Sequence, residues 1–191
     1  MPNYFGNVYS AYKTEYSVGN AFVVSMCGLV SSLGGAYLAD RWEQSGNYMG
    51  KANICILSAL LGIPTIGLCT LVQSNFYFSL GMLGLEYLVA ESWLGPSITM
   101  VINTISPENK GFAVSAYLFF ATVAGTIATE LLGVLANSLN AKEHPELYGY
   151  ILFGFVCFSY GGSIPFMWLA GKHYKAFKEK EDAEKEAAAL G

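Results

Sequence analysis

Five long apolar blocks, separated by short polar stretches, constrain the fold of this chain more than any other feature. They cover residues 17–39, 52–72, 77–102, 112–136 and 147–170. A helix that crosses a bilayer needs about 20 predominantly apolar residues, and each block meets that length. Backbone polar groups in lipid must bond within their own element, and no strand-like alternation occurs. The sequence therefore predicts an all-α, multi-pass transmembrane helical bundle with about five spans, embedded in a lipid bilayer.

The blocks also divide the chain into three regions. Residues 1–16 are aromatic-rich but too short to cross a bilayer, so they are predicted to be interfacial or the stub of a preceding helix. Residues 17–171 form the five-helix bundle. Residues 172–191 hold five lysines and five acidic residues, with Glu181 and Lys185 at the i,i+4 spacing of a helix. This tail is predicted to be a solvated helix, with a docking arm for a partner as the alternative.

Composition excludes several functions. The chain is 13% charged, against about 25% in soluble domains, and its ten basic residues form no basic face, so no nucleic-acid role is expected. Two histidines and no phosphate-binding glycine motif argue against an enzyme, a metal site or a bound cofactor. The four cysteines each lie inside an apolar block and are predicted to be buried free thiols.

The basic residues of the connections predict the orientation. One side of the alternating topology collects eight of them: Arg41, Lys51, Lys110, Lys172, Lys175, Lys178, Lys180 and Lys185. The other side has Lys13 and Lys142. Because basic residues concentrate on the cytoplasmic side, the C-terminus is predicted to be cytoplasmic, and five spans place the N-terminus outside.

Carboxylates within the spans are the candidate functional groups. An ionised carboxylate at the bilayer centre costs at least ~2.5 kcal/mol, so Glu86, Glu91 and Glu130 are expected to face the bundle interior, a cavity or a partner. Glu86 and Glu91, five residues apart, point to different faces of one helix, and Tyr87 shares the face of Glu91. The predicted path for a solute or proton comprises Glu86, Tyr87, Glu91, Thr126 and Glu130. The alternative is that these groups form structural hydrogen bonds between helices.

Two loop segments resemble a known family. The run from Gly34 to Arg41 (Gly-Gly-Ala-Tyr-Leu-Ala-Asp-Arg) resembles the Gly-x-x-Leu-Ala-Asp-Arg loop motif of the major facilitator superfamily. The run from Pro107 to Ala113 is similar to the Pro-x-x-Arg/Lys-Gly-x-Ala element of the same family. The two lie one helical hairpin apart, as in that family. Together they are more specific than either motif alone.

The resemblance implies that the chain is a C-terminal half, with the five spans as helices 8 to 12 and the first residues as the end of helix 7. It is loosest at the level of the branch, where the spinster-like and organic-anion transporters are most similar. Gly35, Asp40 and Arg41 would then act at the cytoplasmic gate. Two features depart from the pattern: residues 42–46 lack the basic end of the loop motif, and Thr126 stands where spinster-like transporters have an acidic residue.

Two functions from different classes follow. In the first, the chain is a secondary carrier of a small solute that needs a second transporter half or a homodimer partner, because one half has no opposing wall for alternating access. In the alternative, it is a non-transporting structural subunit of a larger membrane complex. Both readings place partners in the membrane.

Overall fold

The computed structural model describes residues 1–141 and 144–190, and it is helical almost throughout. We number eight α-helices in chain order: α1 (Pro2–Val8), α2 (Lys13–Phe22), α3 (Gly28–Gln44), α4 (Gly50–Leu71), α5 (Phe76–Ala90), α6 (Leu94–Asn103), α7 (Lys110–Ser138) and α8 (Pro145–Leu190). A π-helical stretch, Val23–Cys27, joins α2 to α3 without a break. The described residues contain no strand, which confirms the all-α prediction.

Four helical segments of the described chain are long and apolar enough to cross a membrane: Ser10–Gln44, Gly50–Leu71, Pro107–Ser138 and Glu146–Ala189. They match four of the five predicted blocks and confirm a membrane helical bundle. The remaining block, 77–102, lies in α5 and α6 and is helical, but Glu86 and Glu91 lower its apolar character. The structure thus gives four spans by composition where the sequence predicts five, and the fifth stays a prediction.

Pro96 and a close contact at Gly35 together account for the division of that block. Proline has no N–H, so Pro96 cannot donate to the carbonyl of Ser92, four residues earlier. The backbone tightens here into a 3₁₀ turn, Glu91–Trp93, before α6 begins. The turn also packs closely against α3: a Cβ atom placed on Gly35 would lie only 2.2 Å from the Ser92 carbonyl oxygen. Only a glycine permits this approach.

The first residues pack into the bundle. Tyr4 and Phe5 of α1 are fully buried, and the Tyr4 hydroxyl donates to the backbone carbonyl of Thr70 at the end of α4. That hydrogen bond measures 2.9 Å. The Phe5 ring stacks on Tyr16, with the ring centroids 4.5 Å apart. The first long helical segment begins at Ser10, seven residues before the predicted apolar block starts at residue 17.

Helix α4 lies at the centre and contacts α3, α5 and α8. Half of the residues in its most apolar stretch are buried, against none in α7. Its neighbours approach through glycines: a Cβ on Gly62 would lie 2.5 Å from the Tyr160 ring, and one on Gly149 of α8 would lie 2.4 Å from the Thr70 carbonyl oxygen. Small residues allow such contacts between membrane helices.

Helix α8 is one continuous helix of 46 residues, ~69 Å long at 1.5 Å per residue. It bonds to the bundle at three levels, through Tyr160, Tyr174 and Asp182. The charged tail is its last part, up to Leu190, and contains the predicted pair between Lys185 and Glu181. Two residues used in the sequence predictions, Lys142 and the final Gly191, lie outside the described residues.

All four cysteines are free, and burial was predicted for all of them. Cys55 and Cys69, both on the central α4, are buried. Cys27 and Cys157 are only partly buried, because they lie on helices that face outward for much of their length. The prediction is therefore wrong for these two.

Candidate functional site

Glu86 is the carboxylate most deeply enclosed by the bundle. Its residue is 7% exposed on α5, and its Oε1 atom accepts a hydrogen bond of 2.7 Å from the Tyr160 hydroxyl on α8. The Tyr160 ring reaches α5 by passing over Gly62, where α4 has no side chain. Buried polar groups in membrane proteins are normally paired in this way. The geometry therefore fits both the functional and the structural interpretation of Glu86.

A cavity of about 190 Å³ lies beside this pair, between α4, the α5–α6 turn and α8. It is lined by Cys55, Ser58, Ala59, Ala90, Trp93, Ser159, Tyr160, Ser163 and Met167. Ser58 and Ser163 donate to backbone carbonyls of their own helices, at 2.7 Å and 2.8 Å, so their oxygens can still accept. The cavity thus offers a mainly apolar wall with several hydroxyl groups, one of which bonds to Glu86.

Tyr87 and Glu91 lie close to this region and are partly buried. Tyr87 packs against the main apolar core, and Glu91 begins the 3₁₀ turn. Glu86, near the end of α5, and Glu91, in the turn, lie five residues apart and face different directions. The structure therefore brings Glu86, Tyr87 and Glu91 into one neighbourhood.

Thr126 and Glu130 lie elsewhere, on the exposed surface of α7. The threonine hydroxyls donate to carbonyls of the preceding turn, as Thr126 does to Thr122 at 3.0 Å. Thr122, Thr126, Thr129 and Glu130 form a polar stripe on α7, and within the described chain this stripe does not face the interior. The five predicted path residues thus fall into two groups, one inside the bundle and one on its surface.

The gate-motif residues also have separate environments. Gly35 is a close-packing position against Ser92. Asp40, half exposed, forms an ion pair of 2.9 Å with Lys51 on α4. Arg41 is exposed, and its Nη1 donates to the Tyr37 hydroxyl at 3.3 Å. Asp40 is thus the member of the motif that joins two helices by charge.

A polar cluster around Lys51 is the feature that sequence reasoning missed. The Lys51 side chain is 3% exposed and also pairs with Glu43, at the end of α3. Glu43 accepts a hydrogen bond of 2.9 Å from the Tyr174 hydroxyl, which in turn accepts one of 2.9 Å from the Asn103 amide. We call Asp40, Glu43, Lys51, Asn103 and Tyr174 the Lys51 cluster. It ties α3, α4, α6 and α8 together at one end of the bundle.

Some signals for these missed residues were present in the sequence. Glu43 and Lys51 follow the family motif closely in the sequence, but their eight-residue separation does not indicate a contact between two different helices. Tyr160 and Tyr174 lie in α8, far from their partners in the sequence. No periodicity within one helix can reveal a bond to another.

Comparison with known proteins gives one informative similarity. Over 123 residues the chain is 28% identical to an MFS-type efflux pump of Mycolicibacterium smegmatis. The match covers 64% of this chain and 28% of the pump. It is similarity to a transporter of the major facilitator superfamily. No family model and no solved structure matches the chain.

The similarity agrees in kind with the two loop motifs. It supports an integral membrane protein related at the superfamily level to transporters, and it indicates a carrier in preference to an enzyme. The chain spans little more than a quarter of the length of that pump.

Proposed function

We propose that this chain is the C-terminal half of a secondary transporter of the major facilitator superfamily, and that it carries a small solute when combined with a second half. The observation that carries the proposal is the Glu86–Tyr160 pair beside the 190 Å³ cavity. An intramembrane carboxylate that adjoins a cavity is a candidate for a solute or proton pathway. The similarity to an efflux pump supports the same class of function.

In this proposal the two groups of path residues have different roles. Glu86, Tyr87 and Glu91 form the part of the path within the chain. Thr126 and Glu130, exposed on α7, face the second half, which supplies the wall that a single half lacks. A polar group on the surface of a membrane helix is costly unless a partner or water covers it.

The Lys51 cluster is the proposed gate at the cytoplasmic end. Asp40 is held by Lys51, so the lysine takes the place of the basic residues that are missing from positions 42–46. The contacts of Lys51 and Tyr174 hold α3, α4, α6 and α8 together at that end, so this half can move against the second half as one body. Arg41 lies beside this network and donates to the Tyr37 hydroxyl instead.

The first test is the composition of the particle purified in mild detergent from its native membrane. A chain paired with a second half of similar size, or with a copy of itself, supports the transporter. Stoichiometric recovery with many unrelated proteins would contradict it and would favour the structural subunit.

The second test is transport by that particle in liposomes, measured with a panel of labelled organic solutes. Glu86→Gln keeps an acceptor for Tyr160, so the fold is retained while the charge is lost. We expect at least a tenfold fall in the rate of uptake of any transported solute, which is about 1.4 kcal/mol. Glu108→Gln, at an exposed carboxylate in a connecting turn, is the matched control. Equal rates in the two variants would show that Glu86 is structural.

A further inference from the structure

An apolar groove runs along the outer surface of the bundle. It has a volume of about 220 Å³ and lies between α3, α4 and the end of α5. Its rims are Val30 and Leu38 of α3, Leu57 and Leu61 of α4, and Leu88 of α5, which are between 40% and 58% exposed. The groove therefore opens outward, along helices that cross the membrane.

An exposed glycine leaves room in the wall of the groove. Gly34 lines it, and a Cβ atom placed on Gly34 would meet nothing within 4 Å. From Val30 to Leu38 the groove follows α3 for ~12 Å. Ser58 and Ser92, which also line it, donate to carbonyls of their own helices. These features give the groove a mainly apolar lining that suits a flexible hydrocarbon chain.

The end of the groove near Leu38 adjoins a polar cleft. The cleft is lined by Tyr37, Asp40, Arg41, Gln44 and Ser45, and Leu38 is only three residues, or ~4.5 Å of helix rise, from Arg41. Arg41 is the single arginine of the chain. Its guanidinium has five N–H donors, and one hydrogen bond goes to Tyr37. Asp40 is paired with Lys51 and so competes less for Arg41.

We propose that a phospholipid binds at this site, with one acyl chain in the groove and its phosphodiester on Arg41. The guanidinium group matches two phosphate oxygens, which gives the charge complementarity. Exposed Trp42 stands beside the cleft, as aromatic residues do at the membrane interface. The groove and the cleft therefore present an acyl site and a phosphate site in the order in which a phospholipid carries them. This inference depends on membrane insertion and does not require transport.

The test is native mass spectrometry of the full chain, purified in detergent and titrated with palmitoyl-oleoyl phosphatidylglycerol. Arg41→Gln should weaken binding of the first lipid about fivefold, which is the effect of one basic group near the surface. Gly34→Leu should fill the groove and weaken it about tenfold through the methylene groups it displaces. Lys110→Gln and Gly28→Leu are the controls; Gly28 lies on the same helix, and a Cβ there also meets nothing within 4 Å. Both controls should bind lipid as the wild type does.

Two further measurements distinguish the contribution of the acyl chain from that of the phosphate group. Glycerol 3-phosphate, which has no acyl chain, should not compete with the lipid at equal concentration. Arg41→Lys should bind the lipid with intermediate affinity, because lysine keeps the positive charge but lacks the planar guanidinium that bonds to two oxygens. Thermal melting of each variant shows which of them fold. If Gly34→Leu does not fold, Arg41→Gln and Arg41→Lys still decide the question. Wild-type lipid affinity in the folded Arg41 variants would overturn the proposal. So would a Gly34→Leu variant that loses a bound protein partner but still binds lipid.

Discussion

Helices α4 and α7 carry similar sequence signals but have opposite environments. Each is apolar, long enough to cross a membrane, and begins with a lysine in its first turn. Half of the most apolar stretch of α4 is buried, while α7 has none of its stretch buried. Lys51 is enclosed between two carboxylates, whereas Lys110 is partly exposed. Hydropathy alone thus identifies membrane helices but does not tell a central helix from a peripheral one.

The difference comes from short-range contacts. Between membrane helices there is little hydrophobic driving force, because lipid is as apolar as the side chains. Close approach at glycines and polar bonds between helices then decide which helix is central. Gly62 of α4 is in contact with Tyr160, while Gly125 and Gly133 of α7 have open space around them.

The largest expected effect is at the two lysines. Lys51→Met leaves Glu43 mostly buried without its cation, so we expect the free energy of unfolding to fall by about 3 kcal/mol. Lys110→Met should change it by less than about 0.5 kcal/mol, as surface substitutions do. Unfolding in mixed micelles, followed by circular dichroism, measures both. Equal losses would show that α7 is as firmly packed as α4.

The next largest change in the free energy of unfolding is expected at Gly62 of α4, with Gly125 of α7 as the comparison. Gly62→Ala forces the Tyr160 ring away from α4, and the ring has little freedom because its hydroxyl is bonded to Glu86. We expect a loss of about 1–3 kcal/mol, the usual cost of overpacking. Gly125→Ala has room and removes a flexible residue from a helix, so it should be neutral or stabilise by up to about 1 kcal/mol. The same unfolding assay applies, and a loss at Gly125 would reveal a neighbour of α7.

Glu130 gives the third test. In the purified chain without a partner, Glu130→Leu should raise the free energy of unfolding by about 1 kcal/mol, a part of the cost of placing a carboxylate in the membrane. Glu130→Gln is the control for the loss of charge without a gain of apolar surface. A fall in stability, or dissociation of an assembly seen by light scattering, would mean that a protein group covers this face of α7.

The sequence predicted the fold more successfully than the site. Block length and the absence of alternation were sufficient for an all-α membrane bundle, since lipid leaves the backbone few alternatives. The tail was also predicted to be helical, and the structure adds that it is continuous with the last span, so that α8 runs from Pro145 to Leu190. The division at the Glu91–Trp93 turn follows from Pro96, whose position was evident but whose local effect depends on packing.

For the site, helical periodicity placed Glu86 and Tyr87 on different faces, and Glu86 alone of the two is buried. Thr126 and Glu130 were predicted as part of the same path, with Glu130 facing the interior, a cavity or a partner, and the structure places both on the exposed surface of α7. A stripe shows that residues share a face, and it does not show what that face meets. The bonds of Tyr160 and Lys51 join residues on different helices, which is tertiary information that one sequence does not contain.

The smallest effect concerns the tail, which is exposed like α7 but is held by ion pairs. Lys185 and Lys178, at 2.6 Å and 2.9 Å, lower the pKa of Glu181 to about 2. Because the folded pKa is below the ordinary value, this contribution to helix stability is present above about pH 4.5 and is lost as the pH falls towards 2. Carbon-13 NMR of the Glu181 carboxyl measures the titration. Lys185→Gln should raise the pKa, and an unchanged titration would show that the pair is absent in solution.

The continuity of α8 has a mechanical consequence. The helix is held at Tyr160, Tyr174 and Asp182, and Pro165, between the first two, removes one backbone hydrogen bond and gives the helix a point at which it can bend. A displacement of Tyr160 beside Glu86 is carried along α8, past this point, towards the loop that holds Tyr48. Helix α8 thus couples the surroundings of Glu86 inside the bundle to the surface of the protein. A force applied to the tail acts on Glu86 by the same route.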